Sequence, residues 1–320
     1  MTSDRFCWVP STEQRHAAWS RSKYAYTLYD VQLPPFDCGI PVTTLGQSDV
    51  RIQVINPFFG YEQYGRENLA AIAAPGTEFD VVNIGQRYPL NNNQWLFFRH
   101  SCTAATIDRA MEAEAAGFDA VFLCCNLDIG LYECRQMCTI PVTATLESAA
   151  VVAHTMARRF SLLCVDDQNG QIQKMLLEQY QLDKGLASVR SFDIDASDLY
   201  PDRNSETCIR DRVVETAKLA IERDGAEVLL AGCTLAGCVL SKYARENAGQ
   251  LPAPVIDGML TGFKMAEMMV SLAAAGLPPV SRIGIFEQPP LGDLRRLREA
   301  QHQPMPVWAM SSLKSEDLKP

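Results

Sequence analysis

Two nine-residue stretches organise the chain: Gly117-Phe-Asp-Ala-Val-Phe-Leu-Cys-Cys125 and Gly225-Ala-Glu-Val-Leu-Leu-Ala-Gly-Cys233. Each begins with glycine, passes through an acidic residue into an apolar run and ends in a cysteine. The two final cysteines stand 108 positions apart (233 − 125). A short apolar run that follows a turn signal is typical of a buried strand. The sequence therefore predicts two equivalent strands, each with a thiol at its carboxyl end.

Strands and helices alternate around both stretches in the same order. Helices of about 10 to 15 residues between strands indicate parallel sheets with right-handed crossovers, in which ligands bind beyond the carboxyl ends of the strands. We therefore expect an α/β fold with two lobes and a cysteine on each wall of the cleft between them. The predicted strands are Val50–Asn56, Glu78–Ile84, Gly117–Cys125, Ile140–Thr145, Phe160–Val165, Ser188–Ile194, Gly225–Cys233 and Pro254–Asp257.

The remaining segments complete the predicted domain organisation. Residues 1–48 are rich in aromatic residues and proline, and we expect an irregular arm that packs on the body or on a neighbouring subunit. Residues 49–145 and 258–320 are expected to form the first lobe, and residues 146–257 the second. A strand at Ile283–Phe286 and a polar tail are also predicted. The predicted helices are Glu62–Ala74, Ala104–Ala116, Leu131–Met137, Glu147–Arg159, Gln171–Gln181, Asp211–Arg223, Val239–Asn247, Leu260–Ala275 and Leu291–Gln301.

The composition argues against several classes of function. The 320 residues carry a net charge of -9, with a pI near 5.1 and no block of basic residues, which argues against a nucleic-acid or polybasic membrane surface. Neither a secretory signal nor an apolar run of about 18 residues is apparent. We expect a cytoplasmic protein whose 11 cysteines are free thiols.

Two thiols that face each other across a bound carbon are suited to proton transfer. A thiolate removes the hydrogen from one face and a thiol returns one to the other, which inverts the centre. The ordinary cysteine pKa, about 8.5, makes both protonation states accessible, and we expect a helix N-terminus after each cysteine to lower it. Backbone N–H groups at Asn126, Leu127, Thr234 and Leu235 are candidates for stabilising the carbanion.

No cofactor or metal is predicted. No glycine-rich nucleotide loop follows any predicted strand. Cys134 and Cys138 stand four residues apart but lack a matching histidine pair for zinc. Among the histidines, His154 is interpreted as a satisfied core residue, and His100 is a weak candidate for the cleft. Cys124 is expected to point away from Cys125 into packing.

Three segments resemble the aspartate/glutamate/hydantoin racemase superfamily, with the closest resemblance to hydantoin racemases. They are Ala115–Leu131, which contains Cys-Cys-Asn-Leu-Asp-Ile-Gly-Leu, Ile140–Ala149, which begins Ile-Pro-Val-Thr-Ala-Thr, and Gly232-Cys-Thr234. The resemblance places Cys125, and not Cys124, on the first catalytic position and Cys233 on the second. It implies two Rossmann-like lobes with parallel sheets related by a pseudo-two-fold, a cofactor-independent two-thiol mechanism and a homo-oligomer.

The first strand departs from the family pattern. It ends in Asn56-Pro57-Phe58-Phe59, with aromatic bulk where the family has small polar residues. We therefore predict a racemase or isomerase that acts on a hydantoin-like ring or a related 2-substituted carboxyl compound, and not on a simple hydantoin. Beside the catalytic pair Cys125 and Cys233, the predicted substrate-binding residues are Asn56, Phe58, Asn126, Leu127, Thr234 and Leu235.

Two other functions remain open from the sequence. One is a cis–trans isomerase of the maleate isomerase type, in which a single cysteine acts as a nucleophile on a double bond. The other is a protein on the same two-lobed fold that binds a small ligand without turnover. In all three cases the expected partner is a small molecule, and neither nucleic acid nor a membrane is expected.

Overall fold

A computed structural model describes residues 50–57, 62–84, 95–194, 206–301 and 304–312 of the chain. These ranges contain both cysteine-bearing strands. The predicted aromatic arm (residues 1–48) and Phe58 lie outside them, so neither prediction is addressed by the structure.

The first half of the described chain carries a four-stranded parallel sheet. Its strands are β1 (Val50–Asn56), β2 (Thr77–Asn83), β3 (Ala120–Leu123) and β4 (Val142–Ala144), in the order β2-β1-β3-β4. Every residue of β3 is buried, as expected for a central strand covered on both faces. The helices of this half are α1 (Glu62–Ala70), α2 (Leu96–Ala115), α3 (Leu131–Met137) and α4 (Thr145–Met156).

The second half repeats this arrangement. The strands β5 (Phe160–Cys164), β6 (Leu186–Ser191), β7 (Val228–Ala231) and β8 (Val255–Ile256) form a parallel sheet in the order β6-β5-β7-β8. The order is that of the first sheet, and β7 takes the place of β3. The predicted two-sheet α/β fold is thus confirmed. The helices are α5 (Asp167–Tyr180), α6 (Glu206–Asp224) and α7 (Thr234–Glu246).

After the second sheet, α8 (Gly258–Ala274) packs on β1, β3 and β4 of the first sheet. Its approach to β3 depends on a glycine, since a Cβ at Gly262 would lie 2.3 Å from the ring of Phe122. The chain continues through a 3-10 turn at Gly284–Phe286 into α9 (Leu291–Ala300) and α10 (Val307–Ser312). Within the described residues, no helix is long and apolar enough to cross a bilayer.

Several predicted boundaries differ from the structure. The predicted strand at Ile283–Phe286 is wrong: the segment forms a 3-10 turn in which Ile283 and Ile285 are exposed. A strand needs a neighbouring strand for its backbone hydrogen bonds, and neither sheet of the described residues includes this segment. The predicted polar tail contains α10. Helix α2 begins eight residues before its predicted start at Ala104 (104 − 96). Helix α7 begins at Thr234, directly after Cys233, and not at Val239.

Candidate active site

The two cysteines lie at equivalent places in the two sheets. Cys125 is two residues beyond the end of β3, and Cys233 is two residues beyond the end of β7. Both line a single small cavity of about 50 Å³. The residues that line it are Cys125, Asn126, Leu127, Val165, Asn169, Gly232, Cys233 and Thr234.

The structure brings most of the predicted site residues together. Asn126, Leu127 and Thr234 line the cavity beside the two thiols. Asn56 is buried at the end of β1 but is not among the residues that line the cavity. The side chain of Leu235 packs among core residues of the second sheet and does not line the cavity either.

Three of the lining residues were not predicted from the sequence: Val165, Asn169 and Gly232. Val165 follows β5, which pairs with β7, so its position beside Cys233 follows from the strand order. Asn169 lies in the first turn of α5, where Asp166 accepts hydrogen bonds from its backbone and side-chain nitrogens, both at 2.7 Å. The carboxyl end of the predicted strand at residues 160–165 was the signal that could have identified Val165 and Asn169, while Gly232 directly precedes Cys233 in its own predicted strand.

The turn after β3 directs a backbone donor at the Cys125 sulfur. The Leu127 N–H points at Sγ across 3.5 Å, and the Asp128 N–H donates to the carbonyl oxygen of Cys125 at 2.9 Å. Asp128 has a φ of 42°, in the left-handed region, which closes the turn. A thiolate at Cys125 is therefore stabilised by a backbone N–H.

Cys233 is placed at the start of a helix. It is the N-cap residue of α7; its side chain makes no cap hydrogen bond, but the nearby backbone N–H groups of Ala236 and Leu235 lower the pKa of its thiol. These are among the N–H groups that have no acceptor within their own helix, and they carry the positive end of the helix dipole. Each thiol thus has nearby backbone donors, one set from a tight turn and the other from a helix.

Burial nevertheless outweighs these donors. It raises the pKa of the Cys125 thiol, because the thiolate loses its hydration, and the Leu127 N–H offsets only part of the rise. Burial also raises the pKa of Cys233, against the lowering effect of the Ala236 and Leu235 N–H groups. The expectation that the thiol pKa values are lowered is therefore wrong. The backbone N–H groups lower the thiol pKa values as predicted, but their effect is smaller than that of burial.

Two amide side chains donate hydrogen bonds to backbone carbonyl oxygens at the end of β7. The Asn126 Nδ2 donates to the carbonyl oxygen of Ala231 at 2.9 Å and so joins the two cysteine-bearing segments. The Gln173 Nε2 donates to the carbonyl oxygen of Gly232 at 2.8 Å. Among the described residues, the buried Oδ1 of Asn126 has no hydrogen-bond partner. Asn126, a residue that lines the cavity, therefore carries a buried acceptor without a donor among the described residues.

The other residues singled out in the sequence lie elsewhere. Cys124 is buried among apolar residues that include Phe122 and Cys238, as predicted. His100 lines a separate cavity of about 560 Å³ and not the one between the cysteines. His154 has partners at both ring nitrogens, but it is exposed and is not a core residue.

The repeated parallel sheets and the cavity shared by two strand-end thiols define a two-lobed α/β enzyme with a symmetric pair of cysteines. The model of the Asp/Glu/Hydantoin racemase family matches residues 66–266, which is more than half of the chain. The chain therefore belongs to this family, and it is an isomerase of the racemase type.

Individual relatives agree with this assignment. The sequence is 27% identical over 223 residues to a hydantoin racemase from Pseudomonas sp. (strain NS671), which covers 70% of this chain and 87% of that one. The structure is similar to allantoin racemase from Klebsiella pneumoniae, with a TM-score of 0.66, 28% identity and coverage of 75% of this chain and 94% of that chain. It is also similar to an allantoin racemase from Pseudomonas fluorescens, with a TM-score of 0.66, 26% identity and coverage of 75% and 97%.

Proposed function

We propose that this racemase inverts the carbon between a ring carbonyl and a ring nitrogen in a substituted hydantoin, with Cys125 and Cys233 as the paired acid and base. The observation that carries the proposal is that both thiols line one cavity. Relatives named as hydantoin and allantoin racemases support the same class of ring.

The chemistry requires one thiolate and one thiol. The thiolate removes the proton from one face of the ring carbon, and the electron pair moves onto the adjacent carbonyl oxygen as an enolate. The opposite thiol then delivers its proton to the other face, so the enzyme ends the turnover with the two protonation states exchanged. Because the lost proton is replaced within the same site, neither a metal nor a redox cofactor is needed for balance.

Backbone donors and one amide acceptor fit the polar groups of such a ring. The N–H groups at the start of α7 lie beside Cys233, where an enolate oxygen gains most from preorganised donors. The Asn126 Oδ1 is buried without a partner in the described chain, so a ring N–H is the kind of group that would satisfy it. A cyclic ureide supplies both carbonyl oxygens and N–H donors.

The cavity must enlarge to admit the substrate. Its volume of about 50 Å³ suits a few water molecules, since one water needs roughly 10–15 Å³ measured in this way. A five-membered ring with a substituent is larger. We therefore expect the segments that carry Cys125 and Cys233 to move apart on binding and to close over the ring, which would exclude water from the carbanion.

Isotope exchange tests the two-thiol assignment. A single enantiomer of a 5-substituted hydantoin is incubated with enzyme in D2O, and loss of the 5-H signal is followed by NMR together with optical rotation. We expect the Cys125→Ser and Cys233→Ser variants to lose racemisation by at least about a hundredfold, since each removes one of the two proton-transfer groups.

Cys124→Ala is the matched control, because Cys124 adjoins Cys125 in sequence but is buried in the packing of the first sheet. It is expected to racemise at the wild-type rate. Full racemisation by either serine variant would overturn the assignment of that cysteine. Parallel incubations with amino acids and with 2-substituted malonates test whether the ring is required.

We also propose that the protein assembles as a homo-oligomer. Large apolar side chains on its surface support this: Phe97 is 75% exposed and Ile283 is 85% exposed. Light scattering coupled to size exclusion at micromolar concentration measures the mass directly. A mass of one chain, 35.5 kDa, would contradict the proposal.

A further inference from the structure

Asp128 is a buried residue that caps the N-terminus of α4, although it lies outside that helix in the sequence. The N-cap residue of α4 is Ala144, whose side chain has no hydrogen-bond acceptor. Asp128 takes over this function: its Oδ1 accepts from the Leu146 N–H at 2.8 Å and its Oδ2 from the Glu147 N–H at 2.9 Å. The first N–H groups of a helix need acceptors from elsewhere, so this contact fixes Asp128 with respect to α4.

The same residue ends the turn that begins at Cys125. Its own N–H donates to the Cys125 carbonyl oxygen at 2.9 Å, and its left-handed φ of 42° sets the direction of the chain. Leu127, the residue between, points its N–H at the Cys125 sulfur across 3.5 Å. The position of that donor therefore depends on a turn whose far end is anchored to α4.

We propose that Asp128 is a positioning residue for Cys125: by closing the N-terminus of α4, its carboxylate holds the Leu127 N–H at the Cys125 sulfur. Asp128 does not line the cavity that contains the two thiols; it lines the separate cavity of about 560 Å³. Its connection to the Cys125 sulfur therefore runs through the turn. The inference rests on the proposed role of Cys125, whose thiolate is the form that needs this donor.

The charges around the turn allow the direction of the effect to be predicted. Burial raises the pKa of Cys125 most; the Leu127 N–H lowers it, and the Asp128 carboxylate raises it by a smaller amount than that. Burial raises the pKa of Asp128 itself to about 7, and the backbone N–H groups of Leu146 and Glu147 lower it in part. Losing the donor therefore outweighs losing the neighbouring negative charge, and removal of Asp128 should make the Cys125 thiolate scarcer.

The test measures thiol reactivity and needs no substrate. Wild type and Asp128→Ala are treated with limiting iodoacetamide at several pH values from 7 to 9, and the alkylation rates of Cys125 and Cys233 are read separately by peptide mass spectrometry. Cys233 is the reference within the same molecule. We expect the Ala variant to alkylate Cys125 about tenfold more slowly at each pH, as for a rise of one pKa unit, with Cys233 changed less than twofold.

Two further variants keep the result interpretable. Asp108→Ala removes a half-buried carboxylate that pairs with Arg298 at 2.9 Å, and it should leave the Cys125 rate unchanged. Asp128→Asn retains the side-chain volume and one acceptor oxygen, so it replaces the Ala variant if that protein does not fold. We expect it to slow Cys125 selectively by about threefold, since one acceptor remains.

An unchanged or faster Cys125 rate in the folded Asp128 variant would overturn the proposal. Equal slowing of Cys125 and Cys233 would also overturn it, because the effect would then be a general loss of structure. Hydrogen exchange at Leu127 and Leu146 gives a second readout, and both amides should exchange faster in the variant. Since alkylation is independent of turnover, this outcome is separate from the isotope-exchange test of the proposed function.

Discussion

Gly232 immediately precedes Cys233, and the structure predicts that no side chain is tolerated there. A Cβ at this position would lie 2.8 Å from the Cys164 Sγ, 2.8 Å from the Gln173 Oε1 and 2.9 Å from the carbonyl oxygen of Leu163. Uncharged heavy atoms normally approach to about 3.5–4.0 Å, so each neighbour would have to recede by more than half an ångström. The Gly232→Ala substitution is therefore an overpacking change in three directions at once.

Two of the three neighbours are held in place by hydrogen bonds to Gly232 itself. The Leu163 carbonyl oxygen accepts the Gly232 N–H at 2.7 Å, as part of the contact between β5 and β7. Gln173 is fully buried, and its Nε2 donates to the Gly232 carbonyl oxygen. Overpacking of this kind costs about 1–3 kcal/mol of unfolding free energy. The alternative is a shift of Gly232 itself, which would move Cys233.

Two assays separate these outcomes. Urea unfolding followed by circular dichroism measures the loss of stability. The D2O exchange assay measures the loss of turnover that a displaced Cys233 would cause. A misplacement of about 1 Å in a reacting group lowers the rate roughly a hundredfold, so we expect a loss of that order in turnover. Gly292→Ala is the control, because nothing lies within 4 Å of a Cβ there and its stability should be unchanged or higher. A Gly232→Ala protein with wild-type stability and turnover would refute the reasoning.

Two further predictions follow from burial. Burial raises the pKa of Cys233, so its thiolate is scarce at neutral pH. The alkylation rate of Cys233 should therefore increase about tenfold per pH unit between pH 7 and 9. A rate that is flat over this range would contradict the raised pKa. Arg298 of α9 and Asp108 of α2 form an ion pair whose side chains are only 9% and 14% exposed. Because Arg298→Met leaves the Asp108 charge without its partner, it should lower the unfolding free energy by about 3 kcal/mol, as measured by urea titration. The double variant with Asp108→Asn should recover most of this loss, and no recovery would indicate that the packing of Arg298 and not its charge is what matters.

The sequence predicted the parts of the fold that depend on local pattern. Continuous apolar runs at residues 120–123 and 228–231 are buried strands, and their repetition along the chain gives two sheets of the same strand order. The segment at Ile283–Phe286 has a similar apolar pattern but is not a strand. A strand requires a neighbour in space, and a pattern of residues carries no information about whether one is present.

Prediction of the site was limited in the same way. Cys125, Cys233, Asn126, Leu127 and Thr234 stand at or just beyond strand ends, so the pattern alone pointed to them, and the structure places all five around one cavity. Other lining residues enter from β5 and α5, and their approach to Cys233 depends on the order of strands in the second sheet. The Leu235 N–H lies near Cys233 as expected, but the partly buried side chain of Leu235 packs against the core and does not line the cavity.

The sequence by itself determined the repeated α/β pattern and the pair of thiols at equivalent strand ends, because strand and turn signals are local and a repeat is visible as spacing. Only the tertiary structure decided the environment of those thiols. Burial raises the pKa of each thiol against the pull of its backbone donors, and Asp128 reaches from the Cys125 turn to a helix 18 residues away in sequence. Desolvation and long-range hydrogen bonds depend on which segments meet in space, and no local spacing encodes them.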